Sequence, residues 1–365
     1  MRSSYFHRIS SPPIRRLTVL LDHLSAGDSD EYRWEIESYQ NDLDEAFRVV
    51  GFNEIEFITD HTDLPTRIHS RRPEFVLHLA EYGLKGSRSL YCCQIPALLE
   101  QVSVPFSNAG PRGMVFSSDK HFLNEVLKAA GLPVPEEVLL HRDDILNNRF
   151  VIPESFRFPG FLKTRLNGGS VGISGSANII AGREALPGNL RKVLSRFSAD
   201  DLRGENMDEW LLQEFLPGPE FSVAIVGNGS SRDVLPIGQL EAFVPFLTYT
   251  NSAEVPINRQ GAGNGANRYA PADLSPEELS NLRDYALAAY EHLACRDYAR
   301  FDFRRDRVGV VKLIDGNSLP GVYKGSAFVA MAAMRNQSFA DLWYEILGVC
   351  FDRCFPGREN GQVGI

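Results

Sequence analysis

Three oxygen-bearing side chains near the C-terminus offer the clearest chemistry in the chain. Asp302 lies in the run ARFDF, and Asp315 and Asn317 lie in LIDGN. Residues two apart on a strand project from the same face, so Asp315 and Asn317 point one way. A hairpin between the two runs brings Asp302 alongside. Hard oxygen donors gathered on one face suit Mg²⁺ bound to nucleotide phosphates. Two adjacent carboxylates without a cation repel. The plainer reading is a solvated charged hairpin with Arg304, Arg305 and Lys312 as ion-pair partners, each pair worth about 0–1 kcal/mol.

Upstream, FPGFLKT (158–164) carries Lys163 and is followed by the glycine-rich stretch NGGSVGISG (167–175). Small residues let backbone N–H groups curl around phosphate oxygens. Ser170 adds a hydroxyl, and Lys163 reaches the same oxygens. No Gly-Lys-Ser/Thr follows, so this is not a Walker A loop. Taken alone, the stretch fits a hairpin turn beside a surface lysine equally well.

Other motifs fail on context. Gly168 to Gly172 fits the G-x-S-x-G nucleophile elbow, but ISGSANII follows it, β-like where a helix is required. The only later histidine, His292, sits inside an amphipathic helix, so no triad forms. GAGNG (261–265) lacks the preceding strand and the last glycine of a dinucleotide fingerprint and reads as a loop. Ser117 to Lys120 fits S-x-x-K without its partner motifs and reads as a helix start. Cys350 and Cys354 make at most half a zinc site; a buried helical thiol is the plainer role, and Cys92-Cys93 reads as a core pair.

The 365 residues include 38 Lys plus Arg and 47 Asp plus Glu, for a formal net charge of −9. Net acidity speaks against nucleic acid as main partner, while a few local cations still suffice for a polyanionic small ligand. The longest apolar run, Ala327 to Met334, is eight residues, too short to cross a membrane. The N-terminus has no apolar segment of a secretory signal, and five cysteines make no disulfide framework, so a cytoplasmic enzyme is expected.

These side chains need elements to position them. LTVLL (17–21), IEFIT (55–59) and FVLHLAE (75–81) read as strands alternating with helices, a parallel α/β layer. Ser118 is the expected cap of a helix with Phe122, Leu123, Val126, Leu127 and Ala130 on its apolar face, closed by Gly131. WLLQEF and EFSVAIV read as strands around a Pro-Gly-Pro break. Ser275, Pro276 and Glu278 open the clearest helix, with Leu279, Leu282, Ala286, Ala289 and Leu293 as its buried stripe. ARFDFRRD and GVVKLIDGN then read as an antiparallel pair.

In order and spacing, SSDKHFLNEVLKAAGLPVP, FPGFLKTRLNGGSVGIS, LLQEFLPGPEFSVAIVG and CRDYARFDF…LIDGNSLPGVYKGS resemble an ATP-grasp ligase, more narrowly the D-alanine–D-alanine ligase branch. The resemblance runs from about Leu17 to about Val329. It implies an α/β fold with α+β lobes: a flexible leader (1–16), an N-terminal α/β domain (17–112), a central lobe (113–208), a C-terminal lobe with the metal site (209–356) and a tail (357–365). The two lobes clamp ATP between antiparallel sheets. By resemblance, Lys120 and Lys163 hold the nucleotide phosphates, and Ser170 and Val171 belong to the loop covering them. Gln213, Glu214, Phe215 and Leu216 form the adenine hinge, and Glu220 binds ribose. Asp302, Asp315 and Asn317 bind one or two Mg²⁺, with Mn²⁺ as a substitute. Arg300, Ser170 and Lys163 are the expected catalytic residues, Arg300 stabilising an oxyanion. Arg300, Gly321 and Ser326 bind the second substrate, Ser326 through its carboxylate. The implied partners are a small carboxylate and a small amine, and the implied assembly is a homodimer.

The chain also departs from that branch. Asp315 stands where Glu is usual, Gln213 where a carboxylate is usual, and Gly169 where a Ser is usual. FVPFLTYTNSAEVPIN offers Tyr249 but no Lys, and DHLSAGDSDE replaces a Gly-Gly-x-Ser-x-Glu signature. The groups that would recognise the first amino acid are altered, which changes the substrate a polar site selects. Three readings stand: an amide-forming ligase of specialised metabolism with another carboxylate donor, a D-alanine–D-alanine ligase, and a non-catalytic ATP-binding protein.

Overall fold

Apolar runs of five residues or fewer, separated by amphipathic helices, build the first layer of the computed structural model. The structure describes residues 12–24, 30–81, 83–84, 92–166, 173, 175–197, 207–241 and 268–357. Strand β1 (Arg16–Leu20) is followed by α1 (Asp30–Val50), β2 (Glu54–Ile58), α2 (Leu64–Arg71), β3 (Val76–His78) and α3 (Gln94–Gln101). The strands pair in parallel in the order β2-β1-β3. The chain enters this core before the expected first strand, for Ile14 is already buried with Leu17 and Val19. Parallel strands covered on both sides read as continuous apolar sequence, which is why these were visible.

Helices α4 (Pro111–Ser118) and α5 (Lys120–Ala129) lead into a second unit. Asp119, not Ser118, caps α5: its carboxylate accepts from the His121 and Phe122 N–H groups, both at 3.1 Å. Ser118 instead ends α4 and donates to the Met114 carbonyl. Leu123 and Leu127 are buried as expected, whereas Phe122 is exposed and stacks on Phe116. Then come β4 (Glu137–His141), α6 (Arg142–Leu146), β5 (Gly160–Thr164), β6 (Ile179–Ile180), α7 (Leu186–Leu194) and β7 (Glu209–Glu214). The four strands form an antiparallel sheet in the order β4-β7-β5-β6.

The third unit carries β8 (Glu220–Val226), β9 (Asp233–Val234), β10 (Gly238–Glu241), β11 (Arg268–Pro271), α8 (Pro276–His292), β12 (Tyr298–Arg305) and β13 (Val311–Asn317). Its sheet runs β11-β10-β8-β12-β13, with β9 on β8. Helices α9 (Ala327–Ala333) and α10 (Phe339–Cys354) return to the first layer, where Trp343, Phe47, Tyr298 and Phe328 share one core. Cys350 is buried there and Cys354 half-buried, both as free thiols. Among the described residues no helix is long and apolar enough to cross a membrane.

The capping box on α8 forms as expected, Ser275 accepting from the Glu278 N–H and Glu278 from the Ser275 N–H. Leu279 is exposed rather than part of the stripe, because the helix turns Leu282, Ala286, Ala289 and Tyr290 inward, with Leu293 just beyond. Replacing Ser275 with Ala strands those end groups and is expected to cost about 1 kcal/mol in urea denaturation.

Candidate active site

Alternation along the strands divides the second sheet into two faces. Leu140, Leu162, Trp210 and Leu212 are buried in the core beneath α7. The residues between them face the other way. Register sets Glu137 opposite Gln213 and Gln213 opposite Phe161, with Leu139, Leu211 and Lys163 in the next row. This face meets the third unit, since Lys163 Nζ donates to the Ile314 carbonyl at 3.3 Å.

The third sheet offers a matching face. Phe221, Val223, Phe301, Phe303 and Leu313 turn into the core with α8. Glu220, Ser222, Arg300, Asp302 and Arg304 alternate with them and point to the cleft. Asp302 lies opposite Ser222 on one side and Asp315 on the other, and Arg300 lies opposite Asn317. A register shift beside Asp302 sets Phe303 against Leu313 and Asp302 against Asp315, leaving Ile314 as the extra residue. Lys312, opposite Arg304, is an odd number of residues from Asp315. In a regular strand the two would face opposite sides. The bulge brings both to the cleft and turns the Ile314 carbonyl to Lys163.

Arg300 grips Asp302 in a fork, with Nε at 3.0 Å from Oδ1 and Nη2 at 2.8 Å from Oδ2. Ser222 Oγ donates to Asp302 Oδ1 at 2.7 Å, and Asn317 Nδ2 lies 3.5 Å from Oδ2. The ion-pair partners expected in a solvated hairpin go elsewhere. Arg304 sits 3.9 Å from Glu220, Arg305 2.6 Å from Glu278 and Lys312 2.6 Å from Glu214. The Asp302–Asp315 pair is therefore not neutralised by Arg304, Arg305 or Lys312.

Burial shapes the charges here. It pushes the Lys163 ammonium down to about 8, with Asp315 opposing and Lys120 reinforcing the shift. Lys120 is lowered for the same reason, against the pull of Asp315 and Asp119. Burial, helped by the Asp302 charge, pushes Glu220 up to about 7. Lys120 opens α5, and its N–H donates to the Arg165 carbonyl at 3.1 Å while the Arg165 guanidinium holds Asp119 at 2.6 Å. The Lys120 and Lys163 ammonium groups share one opposing carboxylate, Asp315, so this part of the cleft suits an anion beside a cation.

At the hinge, the Glu214 N–H donates to the Glu136 carbonyl and the Phe215 N–H to the Pro159 carbonyl, so sheet pairing uses both donors. Leu216 is buried, and Phe215 stacks on Phe161. Ser326 caps α9, its Oγ accepting from the Val329 N–H at 3.4 Å, which leaves its O–H able to donate. A Cβ at Gly321 would lie 2.7 Å from the Tyr323 ring. Tyr39 Oη donates to the Val322 carbonyl at 3.0 Å and Lys324 pairs with Asp42 at 2.8 Å, so α1 anchors this loop. Ser170 and Val171, with the rest of 167–172, and the stretch holding Tyr249 lie outside the described residues.

For a divalent cation, the face supplies two carboxylates and one amide, Asp302, Asp315 and Asn317, all oxygen ligands on adjacent strands. That donor set fits Mg²⁺ rather than a thiophilic metal. Among the described residues no cluster of three or more His, Cys, Asp or Glu forms a metal-binding group.

Sequence reading missed Tyr39, Glu137 and His121. Glu137 was visible in principle, since placing β4 sets it on the same face as Leu139. His121 Nδ1 and Gln213 Nε2 each lie 2.7 Å from its carboxylate.

The model of the D-ala D-ala ligase C-terminus matches residues 126–348. The D-alanine–D-alanine ligase of Oleidesulfovibrio alaskensis is 30% identical over 250 residues, 68% of this chain and 71% of that protein. That of Carboxydothermus hydrogenoformans is 26% identical over 277 residues, 75% of this chain and 79% of that protein. The structure of D-alanine–D-alanine ligase from Bacillus anthracis complexed with ATP superposes with a TM-score of 0.63 at 17% identity, over 93% of this chain and 98% of that one. With the family model spanning more than half of its residues, and two facing antiparallel sheets behind a parallel α/β layer, this chain belongs to the D-alanine–D-alanine ligase family of ATP-grasp ligases.

Proposed function

We propose that the enzyme joins a small carboxylate to a small amine with conversion of ATP to ADP and phosphate, using a carboxylate donor of specialised metabolism. The observation that carries this reading is the meeting of buried Lys163 on the second sheet and Lys120 at the start of α5 with Asp302, Asp315 and Arg300 on the third sheet. Lys120 and Lys163 hold the nucleotide phosphates, with Ser170 and Val171 in the covering loop. Glu220 takes the ribose, and Gln213 to Leu216 take the adenine. Asp302, Asp315 and Asn317 hold Mg²⁺, which when bound neutralises charge on the transferring phosphoryl group. A carboxylate is a poor electrophile until phosphorylation gives it a leaving group. Arg300, fixed by Asp302, stabilises the oxyanion when the amine attacks the acyl phosphate. Ser326 and Gly321 seat the carboxylate of the amine substrate.

The altered donor rests on the first layer. His23, His61 and His78 stand at or just beyond the carboxyl ends of β1, β2 and β3, with the His23 and His61 rings 5.5 Å apart. Burial holds His61 at about 4 and His78 at about 3, so both are neutral at physiological pH. Carboxyl ends of parallel strands are where such layers bind ligands. His61 and His78 thus place two buried neutral imidazoles at that end of the layer. The names of the relatives favour D-alanine as donor and acceptor. ATP, D-alanine and a panel of acids separate the two readings: ADP release should require both an acid and an amine. Robust D-alanyl-D-alanine formation from D-alanine alone at low millimolar concentration overturns the altered donor.

Lys163 also sets a pH dependence. With its pKa at about 8, the empty cleft loses that charge as pH rises through 8, whereas bound phosphates favour the ammonium. Affinity for ATP is therefore expected to fall above pH 8, with proton uptake on binding. Calorimetry at pH 8.5 in two buffers of different ionisation enthalpy measures that uptake. Equal heats in both would contradict the assignment.

A further inference from the structure

The cleft face of the second sheet carries a hydrogen-bonded relay that leads to the hinge. Glu137 on β4 and Gln213 on β7 are direct cross-strand partners. Gln213 Nε2 donates to Glu137 Oε2 at 2.7 Å, and His121 Nδ1 lies 2.7 Å from Oε1. The Glu137 side chain is 3% exposed, and Gln213 is buried as well. A carboxylate only accepts, so it fixes which end of the Gln213 amide faces it. The nitrogen turns to Glu137, and the oxygen must present itself on the opposite side of the amide. Gln213 is the first residue of the hinge Gln213–Leu216, so that oxygen is an acceptor at the hinge.

An acceptor of fixed orientation is a reader. The 6-amino group of adenine donates; the 6-oxo group of guanine or hypoxanthine does not and would face the amide oxygen lone pair to lone pair. A free glutamine could answer either base by rotating its amide half a turn. Glu137 forbids that rotation, because the flipped amide would set oxygen against carboxylate. His121, on the helix that Lys120 opens, holds the second carboxylate oxygen and keeps Glu137 from turning away. The same relay accounts for the glutamine itself. A carboxylate at 213 would stand directly opposite Glu137, and two buried like charges so close repel.

We propose that Glu137, oriented by His121, is a positioning residue that locks the Gln213 amide as an acceptor and so makes the hinge select a 6-aminopurine nucleotide. This rests on the nucleotide occupying the cleft as proposed above.

The test measures dissociation constants of ATP and ITP for the full chain, with Mg²⁺, by competition against a fluorescent nucleotide. Discrimination against the 6-oxo base should be about tenfold or more, the scale of one misplaced hydrogen bond. Glu137→Gln keeps shape and volume but lets either amide flip; the ATP-to-ITP ratio should collapse to within about threefold of unity. Gln213→Glu alone should weaken ATP through repulsion of the two carboxylates. The exchange Gln213→Glu with Glu137→Gln moves the negative charge one strand over and restores a donor–acceptor pair, so the ratio should recover. His121→Asn, at a partly exposed position, should lower the ratio partway without loss of fold, and a melting curve checks every variant. A ratio unchanged in both Glu137→Gln and His121→Asn overturns the relay, as does an exchange variant no better than its single substitutions. Failure of the unaltered chain to bind ATP at all would instead overturn the placement of nucleotide in the cleft.

Discussion

Replacing Arg300 with Met is expected to lower kcat by about 10²–10³-fold while ATP affinity stays within about threefold. The guanidinium is partly buried, and its Nε and Nη2 are committed to Asp302 at 3.0 and 2.8 Å. That fork spends two donors on orientation and aims the remaining edge, Nη1, at whatever enters beside Asp302. Charge that develops on an oxygen only in the transition state gains most from such a fixed donor, because little reorganisation is needed when the charge appears. The substrate gains little from it beforehand, so the loss belongs in kcat. Arg300→Lys tests geometry apart from charge: a lysine keeps the cation but cannot fork the carboxylate, and it should recover less than a tenth of the activity. ADP release at saturating ATP, acid and amine is the measurement. An Arg300→Met enzyme with more than a tenth of the original kcat would remove Arg300 from the chemistry. Asp302→Ala, by contrast, should abolish turnover.

The pairing that makes this site was legible because its signal is local. ARFDF alternates apolar and polar residues, and only nine residues separate Phe303 from its partner Leu313 and five separate Arg305 from Val311. The bulge was not legible. Alternation counted along β13 puts Lys312 and Asp315 on opposite faces, and nothing in VKLIDGN announces the extra residue. It shows itself only when β12 supplies a register to break. The Ser118 expectation failed for a related reason. Ser118 and Asp119 are both good caps, and the choice fell to Asp119 because Arg165, distant in sequence, holds its carboxylate. Leu279 was assigned to a buried stripe by period alone, but the stripe is only as wide as the sheet it covers. Glu137 shows the opposite limit. Its chemistry depends on Gln213, 76 positions away, and no spacing within either strand encodes that contact.

Asp297→Ala is expected to destabilise the fold by about 3–5 kcal/mol, the cost of leaving a paired cation without its partner inside a protein. Asp297 is fully buried just before β12, and both of its oxygens are saturated. Oδ1 accepts from Arg353 Nε at 2.6 Å and Asn228 Nδ2 at 2.9 Å; Oδ2 accepts from Arg353 Nη2 at 2.6 Å, the Asn108 N–H at 2.9 Å and Cys350 Sγ at 3.4 Å. The donors come from the end of the first layer, the turn after β8 and helix α10, so one carboxylate ties three segments together. Alanine strands all five. The backbone adds to the loss, since φ at this position is 68°, where Asp and Asn are tolerated and β-carbon residues without a local polar group are not. Asp297→Gly relieves that strain and should recover about 1 kcal/mol of the Ala deficit, although it has no side chain either. Asp297→Asn keeps the shape but must turn an N–H towards a donor, and should fall between. Urea denaturation with unchanged slope measures all three. Because Arg300 follows three residues later, on the strand that Asp297 leads into, the Gly variant should also lose kcat while refolding fully. If Asp297→Ala costs less than 1 kcal/mol, this carboxylate is not what holds the catalytic strand to the first layer.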